Sequence, residues 1–168
     1  MLRLQPATWR WHAHIHNASK SSDAWPHPLF VSDKLRDRKS TFLAHASTLP
    51  SPAALPAFLA HLSSLPAVKR ATHCMYAYRC THPALATGQD DGGESGSGDR
   101  LARLLELSGC TNTVVVVSRW YGGVKLGSDR WKLISGTAKD ALEWGGFTRK
   151  QEQSTATVTK VKNRGKRR

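Results

Sequence analysis

Arg119, Trp120, Tyr121, Gly122, Gly123, Lys125, Gly127 and Arg130 crowd into one stretch, Asn112 to Trp131, that reads NTVVVVSRWYGGVKLGSDRW. Arginine and lysine are the residues that contact phosphate, and an indole or phenol beside them can stack on a base. Glycines let the chain approach a ligand or a neighbouring segment closely. The chemistry suggested is recognition of an anion or of RNA. The competing reading packs Trp120 and Tyr121 inward and leaves only the glycines special.

A second stretch, GQDDGGESGSGDRLARLLEL from Gly88 to Leu107, sets Asp90, Asp91, Glu94 and Ser95 among Gly92, Gly96 and further glycines, and then turns helical. A glycine-rich loop ahead of a helix can hold an anion on backbone N–H groups. Its spacing is not that of a nucleotide-hydrolysing P-loop, and no lysine stands where phosphate would need one. Its acids would repel phosphate unless Mg²⁺ bridged them, so a solvated loop of special conformation is the favoured reading. On the segment ATHCMYAYRC, His73 and Arg79 share one strand face, either as anion contacts or as half-exposed sheet surface. His73, Asp90, Asp91 and Lys125 could form an acid, metal and phosphate set, but no dyad or metal-ligand spacing demands it. No catalytic residue, cofactor or metal is therefore assigned, and the alternating His12, His14 and His16 lack a partner ligand.

These residues need elements to position them. The valine run before Ser118 has apolar side chains of both parities and reads as a strand buried on two faces. Ser128 is placed to cap a helix from Asp129 to about Trp144, stopped by Gly145–Gly146, with Trp131, Ile134, Ala138, Ala141 and Leu142 on one side. Upstream, LFVS and then KSTFLAHA read as two strands around a charged turn near Asp37, with His45 as an ordinary sheet histidine. Ser51–Pro52 opens a helix carrying Leu55, Phe58, Leu59 and Leu62, and Leu65–Pro66 closes it. Ala71 to Cys80 is a strand, and Leu101, Leu104 and Leu105 form the buried stripe of the helix after the glycine loop. STATVTKV offers a further edge strand. The order β-β-α-β-α-β-α predicts an α+β fold, a two-layer sandwich whose helices cover one sheet face and leave the other for a partner.

Length and charge set the frame. The chain has 168 residues, enough for one core, and a formal charge of +13. That charge is uneven: residues 148–168 hold eight Lys/Arg against Glu152 alone, whereas 26–147 hold fourteen against ten acids. The excess on Lys160, Lys162, Arg164, Lys166, Arg167 and Arg168 points to an appended polyanion-binding tail, mostly disordered. Residues 1–25 read as a disordered extension, with a mitochondrial presequence as the alternative, and 26–147 as the folded domain. Cys74, Cys80 and Cys110 are odd in number and lack CxxC spacing, which suits free thiols in a reducing compartment. No apolar run reaches the length of a membrane span, so a cytoplasmic location is expected, with the basic tail as a nuclear or nucleolar address.

Four blocks, DRKSTFLAH, ATHCMYAYR, DDGGESGSGDRL and VVVVSRWYGGVKLGSDRWK, follow one another from about Asp37 to Leu142. Together they resemble the Impact family, also called UPF0029. SRWYGG and LGSDR are closer to its eukaryotic branch, and Glu94-Ser95-Gly96 lacks the proline usual after the glutamate in bacterial relatives. The resemblance implies a fold similar to domain 2 of ribosomal protein S5 and a role in regulating translation under amino-acid starvation. Full-length members restrain the initiation-factor-2 kinase by competing for its activating partner on ribosomes, using an N-terminal RWD domain that residues 1–28 are too short to hold. The expectation is a non-enzymatic module that binds the ribosome, RNA or a regulatory protein, consistent with the family's lack of an established reaction. The alternatives are a purely protein-interacting module and, further off, a metal-dependent phosphate-handling enzyme.

Overall fold

The computed structural model describes residues 25–149. The N-terminal extension with its histidines, the STATVTKV strand and the basic tail lie outside the described residues.

The valine run is the centre of the molecule. β6 (Thr113–Trp120) sits between β3 (Ser40–Thr48) and β4 (His73–Cys80) in an antiparallel sheet of order β1-β3-β6-β4-β5. Short strands β1 (Phe30–Val31) and β2 (Leu35–Asp37) both pair with β3, and β5 (Ala86–Asp90) edges β4. Val115 and Val117 point to one face, Val114 and Val116 to the other, and all four are fully buried.

On the first face lie α2 (Ser97–Leu107) and α3 (Asp129–Trp144). Their Leu101, Leu105, Ile134, Ala138, Ala141 and Leu142 close over Phe42, Met75, Ala77, Val115 and Val117. α3 stops as expected: Gly146 takes a left-handed φ of 67° and its N–H donates to the Glu143 carbonyl. It also starts where expected, but the Ser128 side chain makes no capping bond, because that residue is itself helical at φ −68°, ψ −22°.

The second face corrects the sequence expectation of an open surface. α1 (Leu55–Ser64), preceded by a 3-10 turn at Pro52–Ala54, packs Phe58 and Leu62 with Leu49, Val68, Val114 and Val116. Trp25 joins this second core, stacking edge-on to Phe58 and donating its indole N–H to the Ser47 hydroxyl at 2.8 Å. The fold class is the expected α+β; the strand order gains β5 and splits the first predicted strand pair into three. The edge strand β5 hides in the sequence because Gly88 stands in its middle. The Tyr78 ring lies so close that a Cβ at Gly88 would come within 2.4 Å of it.

No helix among the described residues is long and apolar enough to cross a membrane. Cys74, Cys80 and Cys110 are free thiols, as expected. Burial pushes all three above the ordinary thiol range, Cys110 to about 11, which favours the protonated thiol at neutral pH.

Candidate functional site

The register of the sheet gathers the site. Arg119 lies opposite Phe42 on β3 and His73 on β4, and Trp120 lies opposite Thr41. The loop before α2 and the start of α3 close over the same end. Their meeting point is Glu94, a buried carboxylate. It pairs with the Arg119 guanidinium, with Arg130 Nε at 3.0 Å, and with His73 Nε2 at 3.8 Å. Arg119 also donates to the Ser40 hydroxyl at 3.3 Å and lies over the rings of Phe42 and Tyr121. Arg130 in turn stacks on Trp131 at 4.2 Å, and Arg100 from α2 faces the same indole at 4.5 Å. A ladder of guanidinium, ring and carboxylate thus ties β6 to both helices.

This geometry changes the part assigned to Arg119. The residue is 4% exposed and its charge is met by Glu94, so it cannot reach a phosphate. It is a buried strut. Removing its carboxylate would leave a guanidinium without water or counter-charge, a costly arrangement.

The acidic glycine loop is also not an open anion cradle. Asp91 accepts from the Gly96 N–H at 2.9 Å and the Gly98 N–H at 2.8 Å, and Asp90 accepts from the Gly92 N–H at 2.7 Å. The backbone donors that could have met an external anion are filled by the loop's own carboxylates. Gly92 is fixed by more than flexibility: at φ +53° a Cβ there would come within 2.0 Å of the Cys74 carbonyl. Ser95 is exposed, and the loop is less solvated than expected, because Glu94 and Ser97 are buried. The supposed metal-and-phosphate set is dispersed: Asp90 and Asp91 hold backbone, His73 faces Glu94, and Lys125 is exposed on the loop before α3.

Trp120, Tyr121, Lys125 and Arg130 remain reachable. Trp120 is half-buried and donates its indole N–H to the Lys69 carbonyl at 3.2 Å; Tyr121 is 41% exposed and its N–H donates to the Thr72 hydroxyl at 2.9 Å. The two residues thus differ: Trp120 is partly packed and Tyr121 lies outside. Gly122 is required by contact, since a Cβ would fall 1.9 Å from the Lys39 carbonyl, whereas Gly123 and Gly127 are required by φ values of 87° and 61°. Arg79 does not belong here. It sits near the far end of β4, roughly 20 Å from His73 by strand rise, donating to the Cys110 carbonyl at 2.8 Å. There it lines a separate cleft of about 890 Å³ with Lys139, Glu143 and Arg149.

Sequence reasoning missed the exposed basic residues on the two segments that meet this strand end, Arg36 and Lys39 on the β2–β3 hairpin and Lys69 and Arg70 before β4. The two-residue turn Arg38–Lys39 was the available signal, since a charged pair bounded by strand residues brings β2 beside β3.

An α+β domain with its polar chemistry gathered at one end of a central strand is the class these features define. The chain belongs to the Impact family: the model described as the Impact N-terminal domain matches residues 38–142. Protein IMPACT of Mus musculus is 38% identical over 131 residues, covering 76% of this chain and 41% of that protein. The Protein IMPACT homolog of Schizosaccharomyces pombe is 41% identical over 113 residues, covering 66% of this chain and 40% of its own length. The chain therefore spans less than half the length of these curated relatives. Among solved structures, the crystal structure of a hypothetical protein is similar at a TM-score of 0.59 and 26% identity, over 67% of this chain and 56% of that one. The two-domain translational regulator Yih1 is 34% identical over 78% of this chain and 53% of its own, with a TM-score of 0.49.

Proposed function

We propose that this chain is a regulator of translation that works as a non-enzymatic binding module, docking on the ribosome or its RNA through the strand end that carries Trp120 and Tyr121. Membership of the Impact family supports the role in translation, and the amino-acid-starvation response of the initiation-factor-2 kinase is the pathway proposed for it. The observation that carries the binding mode is the division of labour at the site. The buried Glu94–Arg119 pair and the self-capped acidic loop are committed to structure, while Tyr121, Lys125 and part of Arg130 face solvent. The basic residues Lys160 to Arg168 add sequence-independent, salt-sensitive attraction to polyanions. The setting for this role is the cytoplasm.

Co-sedimentation with ribosomes tests it, using the full chain and a chain lacking residues 148–168. Pelleting that declines as salt rises, and survives tail removal at reduced strength, is the expected result. A protein that stays in the supernatant at every salt concentration would overturn the proposal. Pelleting only through a defined protein, in subunits stripped of accessible RNA, would favour the protein-interaction alternative.

A further inference from the structure

Resting on that reading, we infer that cations from two segments, Arg36 and Lys39 on the β2–β3 hairpin and Lys69 and Arg70 before β4, together with Tyr121 at the same strand end, form a binding surface for single-stranded RNA. The sheet itself builds one side. Arg36 on β2 is paired with Thr41 on β3, which is paired with Trp120 on β6. Directly opposed residues point to one face, so Arg36 and Trp120 lie on the same face about 10 Å apart. Next to them the turn at Arg38–Lys39 presses its backbone on Gly122, where no side chain would fit, so Lys39 is held against the loop that carries Tyr121. The other side comes from the segment before β4. The Lys69 carbonyl receives the Trp120 indole N–H, and Thr72 receives the Tyr121 N–H.

Charge at this end is not balanced internally. Asp37 and Asp129 are both engaged by Arg38, at 3.3 and 2.8 Å. Arg36, Lys39, Lys69 and Arg70 are exposed and make no ion pair among the described residues. A recess of about 360 Å³ opens at the hairpin between Arg36, Asp37, Arg38, Lys39 and Thr41. Backbone strain falls on two of these residues, Lys39 and Arg70, at left-handed φ values of 67° and 63°, and on their neighbour Arg38 at 41°. Glycine or asparagine would hold these turns with less strain, yet cations stand there, as where strain serves a surface function.

Phosphates explain the cations, and unstacked bases explain the aromatics. Tyr121 offers an exposed ring whose position is fixed by its N–H bond and by the Arg119 guanidinium 5.2 Å from its centre. A ring fixed in advance loses little entropy when a base stacks on it. A continuous duplex keeps its bases stacked and has no use for that platform, which selects a single strand.

The test is fluorescence anisotropy of the full chain with a labelled oligouridine, across a salt series. Changing both Arg36 and Lys69 to Gln should weaken binding and flatten the slope of log K against log salt by about 1.4, two phosphate contacts on a single strand. Tyr121→Ala should weaken binding roughly ten-fold or more with the slope unchanged, and Tyr121→Phe should restore it. Circular dichroism and urea midpoints matched to the parent exclude misfolding as the cause. Unaltered affinity and slope in these variants, or equal affinity for a blunt RNA duplex, would overturn the inference. The two proposals fail separately: oligouridine binding unchanged in the variants while the parent chain still pellets with ribosomes refutes this surface alone, whereas oligouridine binding by the parent without any ribosome pelleting refutes the translation role alone.

Discussion

Glu94 decides how the site residues are divided between structure and contact. Its carboxylate meets Arg119, Arg130 and His73, so Glu94→Ala should cost about 3–5 kcal/mol of unfolding free energy, measured by urea denaturation. Replacing the pair with apolar residues, Glu94→Leu with Arg119→Met, should recover much of that loss, because no charge is then left buried alone. A double variant as unstable as the single one would refute the buried-charge explanation. His45 makes a second prediction. It is 2% exposed, and burial lowers its pKa from 6.5 to about 4. The unfolded chain then binds the extra proton first, so the stability held by neutral His45 is complete above pH 6.5 and is lost as pH falls toward 4. That contribution is about 3 kcal/mol at most, and His45→Leu should flatten stability against pH in that window. Residue types were legible in the sequence here, but burial was not. Arg119 and Tyr121 stand two positions apart and share one strand parity; Arg119, the last buried residue of β6, is covered by Glu94, whereas Tyr121 lies just past the strand end and stays outside.

The elements were more legible than their joints. The valine strand, the stop of α3 at Gly146 and the apolar stripe of α1 follow from local pattern, whereas the Ser51–Pro52 start does not: Pro52–Ala54 is a separate 3-10 turn and α1 begins at Leu55. β5 left no such pattern, since its centre is Gly88 beneath the Tyr78 ring, and the helix-covered second face could not be read from any single element. The glycine loop was read as special, but which groups fill its N–H donors depends on where Asp91 points. Two predictions belong at this scale. Asp91→Ala removes the acceptor for two N–H groups at the head of α2 and should cost about 1–2 kcal/mol, seen in the urea midpoint. Gly122→Ala forces the turn at Lys39 away from the loop, so it should cost about 1–3 kcal/mol and disturb the Tyr121 platform together with it. Normal stability in Gly122→Ala would mean the two segments do not press on each other.

At the scale of the molecule, the sheet has two differently used ends. One carries Trp120, Tyr121 and cations from the β2–β3 hairpin and the segment before β4; the other carries the Arg79 cleft, where Lys139 is answered by Glu143. The net charge of +13 lies largely on residues 148–168, which strengthens association with any polyanion without choosing the face that docks. Amide hydrogen exchange on the full chain, alone and with ribosomal subunits, therefore tests the central claim most directly. The account predicts that binding protects residues 36–41, 69–72 and 119–125 and leaves the cleft around Arg79 and Lys139 exchanging as before. Protection confined to the Arg79 cleft, or to residues 148–168 alone, would contradict it.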